Sequence, residues 1–213
     1  MKSIVLCSGG LDSTTLLYWL IEQKEVPTPL FINYGQHAFQ TELTSLQSVL
    51  PEKWSKRLVI LDISSMFERT KSRRIDEPNL WNDRVQPADF YLPYRNLLLL
   101  TVAAAYGQAH DYEAVYAAFI NSNHAQEIDA SAQFLLELEN ILSEYGAIEV
   151  RLPFREMSKY EVAKLGIELN APIGKTFSCQ ASSHVPCGAC PNCVDRLDAL
   201  NQLAEEFQAG QEN

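Results

Sequence analysis

Short apolar runs alternate with longer amphipathic stretches along this chain, and the change of period divides it into elements. Apolar runs near 3–7, 28–33, 57–62, 113–119 and 147–151 predict five strands. Between and after them the predicted helices fall near 13–24, 38–50, 95–110, 124–145, 158–169 and 193–207. Leu16, Leu17 and Leu20 recur at helical spacing, as do Leu135, Leu138 and Leu142, so these segments present an apolar face to a core. Strands alternating with helices predict an α/β fold: a doubly wound parallel five-stranded sheet with helices on both faces. Two stretches break the pattern. From Thr70 to Pro93 the chain is polar, contains three prolines and lacks sustained periodicity, which predicts a functional or mobile loop. After Pro172 the apolar periodicity weakens and cysteines begin, so a main domain over 1–172 is expected to carry a small appendage over 173–213.

Composition narrows the picture. At 213 residues and 46% hydrophobic content the chain can bury a full core, with no room for a second large domain. Its longest apolar run, Leu97 to Tyr106, is shorter than the roughly 20 residues that span a bilayer, and no basic, apolar N-terminal signal is present. A cytosolic protein with no membrane partner is expected. The net charge of −10 repels polyanions, which disfavours nucleic acid unless basic residues are strongly segregated. Arg69, Lys71, Arg73 and Arg74 do cluster, but Asp76, Glu77, Asp83 and Asp89 follow. The segment reads as a solvated mobile loop or as a lid over nucleotide phosphates.

Chemistry enters at Ser8-Gly9-Gly10-Leu11-Asp12-Ser13, where the first strand gives way to the first helix. Two successive glycines permit turns forbidden to other residues and leave no Cβ between main-chain N–H groups and an anion. Ser8 and Ser13 add hydroxyl donors, and the helix start adds unpaired N–H groups and its positive dipole end. Pyrophosphate is the expected ligand. Asp12 beside phosphates is repulsive unless a cation intervenes, so it is assigned to Mg²⁺. The bland alternative is a strand-to-helix turn with a serine N-cap and no ligand. Neither a GxxxxGK[ST] nor a GxGxxG string occurs in the chain.

Four of five cysteines, Cys179, Cys187, Cys190 and Cys193, lie close together near the C-terminus. Such density in a cytosolic chain argues for a metal, and four thiolates suit tetrahedral Zn²⁺ with no position left for water. The metal is therefore expected to be structural. Gly188 permits a tight turn between ligands, and Pro186 and Pro191 stiffen it. An iron–sulfur cluster is a second reading, and His184 could replace Cys179 as fourth ligand.

The glycine string resembles the PP-loop of the ATP pyrophosphatase superfamily, whose fold is adenine nucleotide alpha-hydrolase-like. Members cleave ATP between its α- and β-phosphates and adenylate an oxygen that a nitrogen or sulfur nucleophile displaces. With Asn33-Tyr34-Gly35-Gln36-His37, Leu92-Pro93-Tyr94-Arg95-Asn96 and the terminal cysteines, the chain resembles the 7-cyano-7-deazaguanine synthase family over essentially its whole length. That resemblance implies ATP-dependent conversion of 7-carboxy-7-deazaguanine with ammonia into an amide and then a nitrile, releasing AMP and pyrophosphate. It also implies a homodimer.

Residue by residue, it implies that Ser8, Gly9, Gly10, Leu11, Asp12 and Ser13 hold pyrophosphate. Tyr34, Gly35 and Gln36 would lie beside adenosine or substrate, Arg95 and Asn96 would meet phosphate or the adenylated carboxyl, and Lys159 would lie near the nucleotide. Asp12, Ser13, Arg95 and Lys159 are the expected catalytic set.

The chain departs from the family over Phe119 to Ser131. Asn121 and Asp129 can be matched to the base-contacting string, but its Tyr-Pro and Cys-Arg pairs are absent; Asn33 and His37 replace the usual Asp and Arg. Glu127 or Asp129 could pair with the N1–H and amino group of a guanine-like base, or be an N-cap or surface acid. One alternative is the same activation with a changed acceptor, such as a protein amine in a defence system. Another is tRNA thiolation, for which only Cys7 would remain as a sulfur carrier. A third is a non-catalytic nucleotide-binding subunit.

Overall fold

The computed structural model describes residues 1–120 and 131–211. Five parallel strands form one sheet: β1 (Ser3–Leu6), β2 (Thr28–Asn33), β3 (Val59–Asp62), β4 (Ala114–Tyr116) and β5 (Glu149–Arg151), in the order β3-β2-β1-β4-β5. The predicted α/β architecture is the one observed. Helices α1 (Leu11–Glu22), α2 (Phe39–Val49), α3 (Glu52–Ser55), α4 (Arg95–Ala109), α5 (Ala132–Tyr145), α6 (Lys159–Glu168) and α7 (Pro191–Gln211) connect and cover it.

Alternation along each strand sends neighbouring side chains to opposite faces. Val5, Phe31, Ala114 and Tyr116 join Leu16, Leu17, Leu20 and Val162 in one buried cluster, which also takes in Ala199 and Leu203 of α7. Ile4, Leu30 and Val115 join Leu100, Ala103, Leu135 and Leu138 in the other. The last helix thus packs on the main core. Because β1 neighbours both β2 and β4, the strand order reverses at β1, and a crevice opens beyond the carboxyl ends of these strands.

Several boundaries differ from expectation, each for a local reason. α1 starts at Leu11 instead of near 13 because Gly10, with ψ 169°, already acts as its N-cap. α5 runs from Ala132, where Ser131 is extended and its hydroxyl accepts the Phe134 N–H at 3.2 Å; the expected start near 124 lies outside the described residues. α7 starts at Pro191, where the missing N–H costs nothing in a first turn. No helix among the described residues is long and apolar enough to cross a membrane.

Candidate active site

Beyond Leu6 the chain turns through Cys7 to Gly10 and enters α1 at the carboxyl end of the central strand. Gly9 has a φ of +73°, and a Cβ there would stand 2.4 Å from the Glu42 carbonyl oxygen and 2.8 Å from the Leu46 nitrogen. Only glycine lets the loop lie against α2. Gly9 O accepts the Phe177 N–H at 3.0 Å, and Ser45 Oγ lies 2.9 Å from the same oxygen, so the loop is held from two sides. Gly9→Ala is therefore expected to lower stability by about 3 kcal/mol, combining the left-handed backbone cost with a contact that neither backbone can relieve. Urea unfolding with the m-value checked for constancy measures it.

Within the turn, Ser8 N–H donates to Ser13 Oγ at 3.1 Å and Gly10 N–H donates to Ser8 Oγ at 3.3 Å. As N-cap, Gly10 offers no side-chain acceptor to the first-turn N–H groups of α1. Ser178 Oγ is also buried without a hydrogen-bond partner among the described residues, and it stands 3.5 Å from where a Gly10 Cβ would be. Unpaired donors around one bend suit an anion rich in oxygens.

These groups open on a cavity of about 950 Å³. Ser8, Gly10, Asp12 and Ser13 line one wall, Tyr34 and Gln36 a second, Arg95 and Asn96 a third, and Lys159 a fourth. The structure thus brings together four separated stretches of sequence. Gly9, Gly35 and the side chain of Leu11 do not line it: Gly9 backs on α2, Gly35 on Ser64, and Leu11 is in the core with 0% exposure. Asn121, Glu127 and Asp129 lie outside the described residues.

Asp12 does not face the cavity alone. Both its carboxylate oxygens accept from Lys159 Nζ, at 2.8 and 2.6 Å. Lys159 is the first residue of α6, whose start is set by a capping box: Ser158 Oγ accepts the Glu161 N–H, and the Glu161 carboxylate accepts the Ser158 N–H. Across the cavity, Arg95 opens α4 and donates from Nε and Nη2 to Asn96 Oδ1, at 3.2 and 2.9 Å. The guanidinium also reaches the Tyr34 phenol, whose proton is held more tightly than usual because it is buried and faces Glu42.

The stretch from Thr70 to Pro93 is exposed over much of its length but tied to the rest of the fold at several points. Arg73 pairs with Asp76 and Asp83 at 2.9 and 3.1 Å, and the Glu77 carboxylate accepts the Ser183 N–H at 2.7 Å. Val85 and Phe90 pack against a small apolar cluster containing Phe177, Cys179, Cys190 and Cys193. Arg74 Nε donates to Phe90 O at 2.7 Å while the side chain lines the cavity, so this segment supplies a cationic wall. His37, in place of the arginine expected there, donates Nε2–H to Gln180 O at 2.9 Å and ties the β2 turn to the cysteine segment.

The four cysteines converge. Their sulfurs all lie within 4.8 Å of one another, with Gly188 at φ +74° between them; His184 is not in the group. Backbone N–H groups of Cys187, Ala189, Cys190 and Gln180 point at sulfurs at 3.2–3.5 Å, an arrangement that supports thiolate charge. Hydrogen bonds from Cys190 and Cys193 pull the Cys179 thiol far down, and the same hydrogen bond to Cys179 pushes Cys190 up to about 11. All four can ionise together only around a cation, so this donor set fits a resident metal.

Sequence reasoning missed Glu42 and Ser178 as cavity groups, because only tertiary packing turns either inward; Arg74 belongs to the basic cluster for which a lid over nucleotide phosphates is one of two readings.

Comparison with known proteins adds the remaining observation. The profile of the family described as "Queuosine biosynthesis protein QueC" matches residues 2–204. Proteins named 7-cyano-7-deazaguanine synthase 1 from Desulfitobacterium hafniense (strain Y51) and Sulfurisphaera tokodaii are 31% and 30% identical. The matches cover 96% and 94% of this chain and 93% of each relative. Among solved structures, a 4-thiouridine synthetase–RNA complex with bound ATP superposes with a TM-score of 0.53 at 16% identity, covering 96% of this chain and 50% of the other. The U34-tRNA thiolase NcsA from Methanococcus maripaludis, solved with its [4Fe-4S] cluster, gives a TM-score of 0.50 at 13% identity, covering 97% and 67%. These two likenesses establish the shared fold.

Proposed function

The chain belongs to the QueC family of queuosine biosynthesis proteins, and on that premise we propose that it uses ATP to adenylate the carboxylate of 7-carboxy-7-deazaguanine or a close analogue, for displacement by ammonia. One observation carries the reading: the glycine bend, the Arg95–Asn96 pair and Lys159 converge on a single cavity of about 950 Å³. That volume lies at the upper end of small-molecule sites, suited to a nucleotide with a second small molecule.

A carboxylate resists amidation because it is a poor electrophile with a poor leaving group. The bend that Gly9 shapes, with Ser8, Gly10 and Ser13 on its cavity side and Ser178 Oγ beside it, would hold the β- and γ-phosphates through N–H and O–H donors. Arg95 would present its guanidinium to the substrate carboxyl or the α-phosphate, and Asn96 fixes that guanidinium in place. Lys159 would face the phosphates from α6. Mg²⁺, when bound, would neutralise phosphate charge; Asp12 fits as its protein ligand because Mg²⁺ usually takes one or two carboxylates beside phosphate and water oxygens. The protein then contributes orientation and prearranged charge. We read the four cysteines as a structural Zn²⁺ site.

The test is direct. Protein incubated with 7-carboxy-7-deazaguanine, ATP, Mg²⁺ and ammonium should yield AMP and pyrophosphate, with a product lighter by about 1 mass unit as the amide or about 19 as the nitrile. ADP as product, or no turnover, overturns the reading. The rewritten stretch from Phe119 to Ser131 favours one second reading, in which the same activated carboxyl passes to an amine on a protein. ATP turnover that appears only on adding such a protein would select it. Thiolation has less support, because burial pushes the Cys7 thiol up to about 12 and leaves it protonated.

A further inference from the structure

One acid in the cavity has no part in the steps above. Glu42, in the first turn of α2, is half-buried by surface because it faces the cavity, while protein encloses its carboxylate on the remaining sides. Gln36 Nε2–H donates to Glu42 Oε2 at 3.0 Å, and Gln36 is itself pinned, its Oε1 accepting the Tyr34 N–H at 2.9 Å. The carboxylate is thus aimed by a buried amide.

The charged and titratable groups facing Glu42 are Arg74 from the 70–93 segment, Arg95 from α4, and His37 and Tyr34 from the turn after β2. Burial holds its carboxyl above the ordinary carboxylate range, although the Gln36 hydrogen bond and both guanidinium groups favour the anion. A glutamate so placed accepts a proton more readily than one on the surface. It also stands beside Arg95, the group proposed to orient the substrate carboxyl.

Amide formation requires a base. At neutral pH nearly all dissolved ammonia is ammonium, which has no lone pair for attack. Resting on the adenylation proposed above, we propose that Glu42 is the catalytic base that deprotonates ammonium inside the cavity. Ammonium gives one proton to the Glu42 carboxylate, and the freed ammonia forms the C–N bond to the acyl carbon. The C–O bond to AMP breaks with its electron pair on the phosphate oxygen, and the surplus proton on nitrogen passes to water. Glu42 then releases its proton to solvent.

Hydroxylamine separates this role from a structural one, because it is already unprotonated at neutral pH. Wild-type protein, Glu42→Gln and Glu42→Asp would each be given 7-carboxy-7-deazaguanine, ATP and either ammonium or hydroxylamine, with amide and hydroxamate quantified by mass spectrometry. Acid-dependent exchange of labelled pyrophosphate into ATP is measured in parallel. In Glu42→Gln the ammonium-to-hydroxylamine rate ratio should fall about 100-fold, the scale of a lost general base. In Glu42→Asp, which keeps the carboxylate, it should stay within about threefold. The wild-type ammonium rate should fall as pH drops through an acid limb lying above the usual carboxylate range, and that limb should vanish in Glu42→Gln.

An unchanged ratio in Glu42→Gln overturns the proposal. So does loss of exchange in both variants with wild-type exchange intact, which would place Glu42 in adenylation or folding. Absence of exchange in the wild type would instead remove the adenylation reading, and this inference with it.

Discussion

Asp12→Asn is expected to lower acid-dependent pyrophosphate exchange about a thousandfold in a protein that remains folded, an effect of the size seen when a prearranged charge is removed from a transition state. The side chain is 26% exposed and lines the cavity, so its loss opens no void in the core. The fold survives while the site loses its organising charge. Asp12 serves two ends at once. Its oxygens hold Lys159 Nζ at 2.8 and 2.6 Å, which fixes the ammonium where a phosphate chain would pass. They also stand at the positive end of α1, beside the bend that would take the β- and γ-phosphates, where a carboxylate fits Mg²⁺. An asparagine amide can neither neutralise the lysine nor offer an anionic oxygen to a metal.

The two roles separate by titration. Exchange by Asp12→Asn should require more Mg²⁺ for half-saturation, whereas Lys159→Met should lower the rate at every Mg²⁺ concentration with half-saturation unchanged. The double variant should lose less than the product of the single losses, because part of each comes from breaking one shared pair. Equal losses in all three variants with no change in Mg²⁺ requirement would leave Asp12 as a holder of Lys159 and not a metal ligand.

How much of this was legible in the sequence depends on whether a residue's role is local. The glycine bend could be read directly, because phosphate-binding geometry is written into neighbouring residues, and the strand and helix on either side announce themselves by their periods. The cysteines were equally plain, since their spacing and Gly188 specify one small loop; the structure gathers Cys179, Cys187, Cys190 and Cys193 within 4.8 Å. Sheet order was reachable only as a class, because nothing in a single strand says which neighbour it pairs with. Glu42 was hidden for a different reason. It lies on a predicted helix, and it is Arg95 of α4 and Arg74 of the 70–93 segment, both distant from it in sequence, that face it at the cavity.

Replacing Cys190 by serine is expected to release the metal, lower the unfolding midpoint by about 12 °C and abolish pyrophosphate exchange. About 4 kcal/mol for a lost structural metal, at about 2–4 °C per kcal/mol in a chain of this size, gives that shift. Cys190 is 4% exposed, accepts the Gln180 N–H and packs with Cys179, Phe177 and Phe90, so it anchors both the cysteine loop and the 70–93 segment. The loss of exchange follows from the path between the two sites. Phe177 N–H holds Gly9 O, Ser178 Oγ stands beside Gly10, and Cys179 comes next in the chain. Arg196, one turn of α7 beyond Cys193, donates to Ile173 O at 2.8 Å and to Thr176, clamping the same strip from the other side. Without a cation the thiols cannot all carry charge, the loop loosens, and the strip that backs the phosphate bend loses its anchor. Purified wild-type protein should be colourless, hold about one zinc per chain by elemental analysis and lack the visible absorption of an iron–sulfur cluster. Cys7→Ala, outside the group, should leave the metal content unchanged. A Cys190→Ser protein that keeps both its midpoint and its exchange rate would show that the four sulfurs meet without a structural metal.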